Sequence, residues 1–95
     1  MKLVDPTDFE LLEALRDGRN IAANIALEID QDRAYLNTRL PELEAYGLVK
    51  KIGPAPNSGL YELNRRGQAA LTHREEYQEL DTQQFHQLVE KELND

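Results

Sequence analysis

Seven residues, Gly53-Pro54-Ala55-Pro56-Asn57-Ser58-Gly59, constrain this chain more than any other stretch. Glycine and proline at this density break both helix and strand. On either side stand Leu48-Val49-Lys50-Lys51-Ile52 and Leu60-Tyr61-Glu62-Leu63, runs of strand character. The pattern predicts a β-hairpin with a seven-residue tip. Two strands alone are marginally stable in water, so this hairpin must pack against something else in the chain.

What remains is helical in pattern. Asp5-Pro6-Thr7-Asp8 predicts a helix start, with Asp5 as N-cap and Pro6 at the first position, and Phe9, Leu12 and Leu15 as a buried stripe before Gly18. Asn20 is expected to cap a short second helix with Ile21, Ile25 and Ile29 on one face. Asp30 is expected to cap a third helix with Leu36, Leu40 and Leu43 inward. Pro41 falls inside that third pattern, but the leucine spacing runs through it, which favours one kinked helix over two. After the hairpin, Asn64 caps a fourth helix. Asp81-Thr82-Gln83-Gln84 then resembles a capping box ahead of the amphipathic stripe Phe85, Leu88, Val89, Leu93. The fold class expected is mainly α with a small β-hairpin.

Ninety-five residues make one core and leave little room for a deep enzyme cleft. With no cysteine, disulfides, thiolate zinc sites and cysteine nucleophiles are excluded together. His73 and His86 lack the spacing of a metal pair, and no Ser-His-Asp order or glycine-rich phosphate loop can be placed. Neither enzyme activity, nor a cofactor, nor a metal is expected. No apolar run is long enough to cross a membrane, and a soluble, cytoplasmic protein is the expectation.

The net charge of -7 argues against a nucleic-acid partner at first sight. Its distribution removes the objection. Residues 1–15 carry -3 and residues 67–95 carry -5, whereas residues 16–66 hold eight basic side chains against seven acids, a net of +1. Acid gathers at the two ends.

Three helices, a hairpin and a closing helix, in that order, match the winged helix-turn-helix, whose third helix enters the major groove. Two motifs make the likeness more specific. Asp32-Arg33-Ala34-Tyr35-Leu36-Asn37-Thr38-Arg39-Leu40-Pro41-Glu42-Leu43, followed by Tyr46-Gly47-Leu48-Val49, resembles the passage from recognition helix to wing in prokaryotic winged-helix regulators. Tyr61-Glu62-Leu63-Asn64-Arg65-Arg66-Gly67 resembles the second wing strand and the helix start after it. With Arg19-Asn20-Ile21-Ala22-Ala23-Asn24-Ile25-Ala26, the segment Ile52–Tyr61 and the acid-rich balance, residues 5–72 look more narrowly like haloarchaeal regulators related to the phi-H phage repressor. The resemblance implies a small DNA-binding transcription regulator, often a repressor. Residues 1–72 are then the winged helix-turn-helix domain, and residues 73–95 an additional C-terminal helical extension.

On that footing Arg33, Tyr35, Asn37, Thr38 and Arg39 are candidates to read bases, because Arg forks onto guanine and Asn onto adenine. The competing role is an ordinary polar face in which Asp32 or Glu42 neutralises Arg33 or Arg39. Lys50, Lys51, Arg65 and Arg66 are candidates for the phosphate backbone, with Asn57 and Ser58 at the tip. Against this, the lysines could simply keep a strand soluble, and the arginines could pair with Glu62. Tyr77, Leu80, Phe85, Leu88, Val89 and Leu93 form an apolar stripe that either packs back on the first helix or pairs two copies. The expected partners are double-stranded DNA and a second copy in a homodimer, with no membrane. The alternative is a winged-helix module that binds protein in a larger assembly. Acid of this kind also suits a salt-rich cytoplasm, where charge repulsion is screened within about 3 Å at 1 M salt.

Overall fold

The structure, a computed structural model, describes residues 1–53 and 59–94. It is mostly helical with a small three-stranded antiparallel sheet. In chain order stand α1 (Thr7–Ala14), β1 (Asn20–Ile21), α2 (Ala22–Ile29), α3 (Arg33–Ala45), β2 (Val49–Ile52), β3 (Leu60–Leu63), α4 (Arg65–Thr72), a 3-10 helix (Arg74–Glu79) and α5 (Thr82–Asn94). Among these elements no helix is long and apolar enough to cross a membrane.

The sheet has the order β1-β3-β2. β2 and β3 pair from Val49↔Leu63 to Ile52↔Leu60, as the flanking runs predicted. β1 did not announce itself. Its two residues pair as Asn20↔Tyr61 and Ile21↔Leu60, so Asn20, expected as a helix cap, is strand. A two-residue strand has no period of its own and exists only because β3 offers it an edge.

Helix boundaries follow local chemistry, with three corrections. α1 begins at Thr7 with Pro6 in the capping position, and the acid that ties its start is Asp8. Its carboxylate accepts from Val4 N at 2.7 Å, while Asp5 accepts from Gln78 Nε2. Asp30 does not cap α3. It closes α2 in the left-handed region at φ 55°, and Asp32 caps α3 by accepting from Ala34 N at 2.8 Å. Asn64 occupies the N-cap position of α4 as expected, but its amide donates to Gly47 O instead of capping. α3 continues through Pro41 as one helix. It ends at Gly47, where φ is 77° and Leu48 N reaches back to Leu43 O. The box before α5 forms as the sequence indicated, with Asp81 N donating to Gln84 Oε1 and Gln84 N to Asp81 Oδ1.

The expected leucines of α3 and the stripe of α1 meet in one core with Leu11, Ile25, Leu48 and Val49. Phe85 and Val89 lie in the same core and are wholly buried. This corrects the assignment of these two residues to a dimer contact. Tyr77, Leu80 and Leu93 are half-buried against the core, and Leu88 is half-buried as well. Phe9, Tyr77 and Phe85 stack edge to face with centroids 4.8 to 6.3 Å apart, each pair adding about 0.5–1.5 kcal/mol beyond its burial. Phe85 and Val89 of the C-terminal extension therefore pack into the same core as α1 and α3. The apolar periodicity of α5 was correct, and the packing of α1 and α4 supplied a surface for it within the chain.

Candidate nucleic-acid interface

α3 carries its inward leucines at 36, 40 and 43, which turns Arg33, Ala34, Asn37, Thr38 and Pro41 onto one exposed face. The helical spacing thus brings three of the five expected base readers together. Thr38 Oγ1 also donates to Ala34 O at 3.3 Å. Tyr35, 37% exposed, lies on a different flank of the helix, toward Arg39. Ala34 was not singled out by the sequence, although it sits between Arg33 and Thr38 on that face. Its small methyl suits contact with a thymine methyl. Only the helix phase, once the leucines are fixed inward, marks it.

Arg39 does not belong to this face. Its Nε donates to Asp8 Oδ1 at 3.0 Å and its Nη2 to Asp8 Oδ2 at 2.7 Å, with Arg39 14% exposed and Asp8 fully buried. The hydrogen bond to Asp8 holds the guanidinium above its ordinary value, against the opposing effect of burial. Releasing Arg39 to a base would leave Asp8 buried and unpaired, a loss of about 3–5 kcal/mol. Neither Asp32 nor Glu42, the neutralising partners considered from the sequence, is the one used.

The backbone candidates divide in the same way. Lys50 is exposed and stands opposite Glu62 across the strands. Lys51 faces the other side, its ammonium 5.9 Å from the Tyr61 ring centroid, and its backbone N donates to Glu44 Oε2. Burial, and secondarily the Glu44 carboxylate, push the Tyr61 phenol above its usual value. Arg66 is paired with Glu90 of α5 and packs beside Gly47, so it joins α4 to α5 and is no free phosphate contact. Arg65 is exposed, and its Nη2 donates to the Leu93 carbonyl at 3.5 Å. Glu62 takes Arg19 at 3.9 Å, not Arg65 or Arg66. Asn57 and Ser58 lie outside the described residues.

Of the eight cations between residues 16 and 66, Arg16, Arg19, Arg39 and Arg66 are in ion pairs and Lys51 is engaged with Tyr61. Arg33, Lys50 and Arg65 have no ion-pair partner among the described residues. Arg33 stands beside the exposed N-cap Asp32, and Glu42 and Glu44 are exposed further along α3, so the exposed charge of this helix and its cap is net negative. His73 is used structurally, its ring Nε2 lying 2.9 Å from Glu92 Oε1 of α5. Among the described residues no group of three or more potential metal ligands stands together.

Comparison with family models, curated proteins and solved structures finds no match for this chain.

Proposed function

We propose that the protein is a sequence-specific DNA-binding regulator of transcription, acting as a repressor, that reads the major groove with α3. One observation carries this reading. The order α1-β1-α2-α3-β2-β3, with the sheet ordered β1-β3-β2, is compatible with a winged helix-turn-helix and supports that reading, and the outer face of α3 is exposed. On that face Arg33 offers a forked donor for guanine, Asn37 a donor and acceptor for adenine, and Ala34 and Thr38 small groups for thymine methyls. Lys50 and Arg65 are the cations left to hold phosphates. Occupancy of a promoter would exclude the transcription machinery. Pairing of two copies on a palindromic operator could not use Phe85 or Val89, which are buried within the chain.

The test is selection of bound sequences from random duplex DNA at moderate and at molar salt. Enrichment of a defined site is expected. Arg33→Ala and Asn37→Ala should then each weaken specific binding by about 1–3 kcal/mol while sparing nonspecific binding. Failure to enrich any sequence at either salt would overturn the proposal.

A second reading, docking of a protein partner, is favoured by the exposed acids Glu42 and Glu44 on the C-terminal half of α3, with Leu27 of α2, 85% exposed, a single apolar side chain and no patch by itself. Leu27→Ala that left DNA selection intact but abolished function in cells would favour a joint role for that surface.

A further inference from the structure

We infer that Asp8 and Arg39 are positioning residues that set the rotation of α3, and with it the register of its outer face against a ligand. The inference rests on the DNA reading above for its functional consequence and on geometry for the latch itself. Arg39 lies one residue after Thr38 and two after Asn37, on the same helix but turned to the other side. Its guanidinium is held at two points, Nε to Oδ1 at 3.0 Å and Nη2 to Oδ2 at 2.7 Å. A fork of this kind fixes orientation as well as distance. The apolar contacts of Leu36, Leu40 and Leu43 are non-directional and restrain a roll of the helix less sharply.

The carboxylate that receives the fork is itself fixed. Asp8 Oδ2 also accepts from Val4 N at 2.7 Å, and Asp8 N donates to Val4 O at 2.7 Å. The adjoining Leu3 is held by Tyr77, whose hydroxyl accepts from Leu3 N and donates to Leu3 O, both at 2.8 Å. Tyr77 in turn packs on Phe9 and Phe85. The orientation of α3 is thereby referred through one buried carboxylate to α1, to the N-terminal segment and to the 3-10 helix. Asp8 is fully buried, so it cannot touch DNA, and any effect of replacing it on recognition must pass through α3. Base contacts demand placement to about 0.5 Å and 10–20°, which makes such a latch consequential for specificity.

The test compares Asp8→Asn, Arg39→Met, their combination and Arg39→Lys in the full chain. Folding is checked by circular dichroism, and DNA binding is measured on the selected site and on random duplex. Each single variant should lower the specific-to-nonspecific ratio on the order of ten-fold, with the dependence on salt unchanged. The double variant should lose no more than the worse single, because both act through one contact. Arg39→Lys, which keeps the charge but loses the fork, should behave like Arg39→Met. A lysine variant with wild-type specificity overturns the proposal. So does an Arg39→Met variant that loses salt dependence or preference at one base pair while Asp8→Asn does not, since that marks a direct DNA contact. Residual dipolar couplings of the α3 amides, measured without DNA on Arg39→Lys and on any other variant that folds, give an independent readout. A reoriented α3 supports the latch even if the wild type enriches no DNA sequence, and an unmoved α3 sinks it.

Discussion

At the scale of single residues, burial and pairing decide which charged groups are available for binding. Arg39 and Arg33 are six positions apart on one helix, yet the first is committed to Asp8 and the second is exposed without an ion-pair partner among the described residues. The sequence could not separate them, because Asp8 lies 31 positions from Arg39 and periodicity carries no information about contacts at that range. What periodicity did carry was the inward phase of Leu36, Leu40 and Leu43, and from it the exposure of Arg33, Asn37 and Thr38. Tyr61 gives a residue-scale prediction with a definite sign. Burial raises its folded-state pKa above the unfolded phenol value of about 10. Below that pH the phenol is neutral in both states and contributes nothing pH-dependent. As pH rises above it, the unfolded chain loses the proton first, so the stability associated with the neutral phenol is lost until the folded value is passed. Denaturant melts between pH 9 and about 11.5 should therefore fall more steeply for the wild type than for Tyr61→Phe. Equal slopes would show that Tyr61 ionises as freely in the fold as out of it.

Elements depend on how closely they can approach one another. α4 lies so near the start of β2 that a Cβ on Gly67 would overlap the Leu48 carbonyl oxygen and come within 2.6 Å of Leu63 Cδ1. The glycine that completes the Tyr61–Gly67 motif is thus required by helix-on-strand packing, not by a turn. Helix propensity alone would make Gly67→Ala stabilising by about 1 kcal/mol. The overlap reverses the sign, and we expect destabilisation of about 1–3 kcal/mol by chemical melts, against a change within about 0.5 kcal/mol for the exposed neighbour Gln68→Ala. A neutral or stabilising Gly67→Ala would show that α4 can move away from β2 at little cost. The same scale explains what the sequence revealed and what it hid. Both hairpin strands, the Asp81 capping box and the continuity of α3 through Pro41 were legible, because each is written in local spacing or capping chemistry. β1 was not, because it consists of two residues paired 39 and 41 positions away. The destination of the α5 stripe was not either. An amphipathic helix reports that one face will be covered and does not say by whom, and here Phe9 and Tyr77 of the same chain cover Phe85.

Across the whole molecule, the balance of charge sets how any DNA complex must respond to salt. The formal charge of -7 places acid mainly at the two ends, and half of the cations of the middle segment are already in ion pairs within the fold. With Arg33 turned to the bases, Lys50 and Arg65 are the cations of that segment, among the described residues, left to displace counterions from phosphates. Each phosphate neutralised contributes a slope of about -0.9 to log K against log salt, so two contacts give about -2, where all eight basic residues of the middle segment would give about -7. A shallow slope means that affinity is retained as salt rises, while repulsion between the acidic ends and DNA, which weakens binding in dilute buffer, is screened within about 3 Å at 1 M. Specific binding should therefore show a slope near -2 per chain between about 0.2 and 1 M salt, and Arg65→Ala should reduce its magnitude by about one without changing base preference. Measured slopes near -7 would mean that the Glu13, Asp8, Glu62 and Glu90 ion pairs all open on binding and that Arg33 and Lys51 meet phosphates as well. In that case the free surface of the fold would not be the surface that meets DNA.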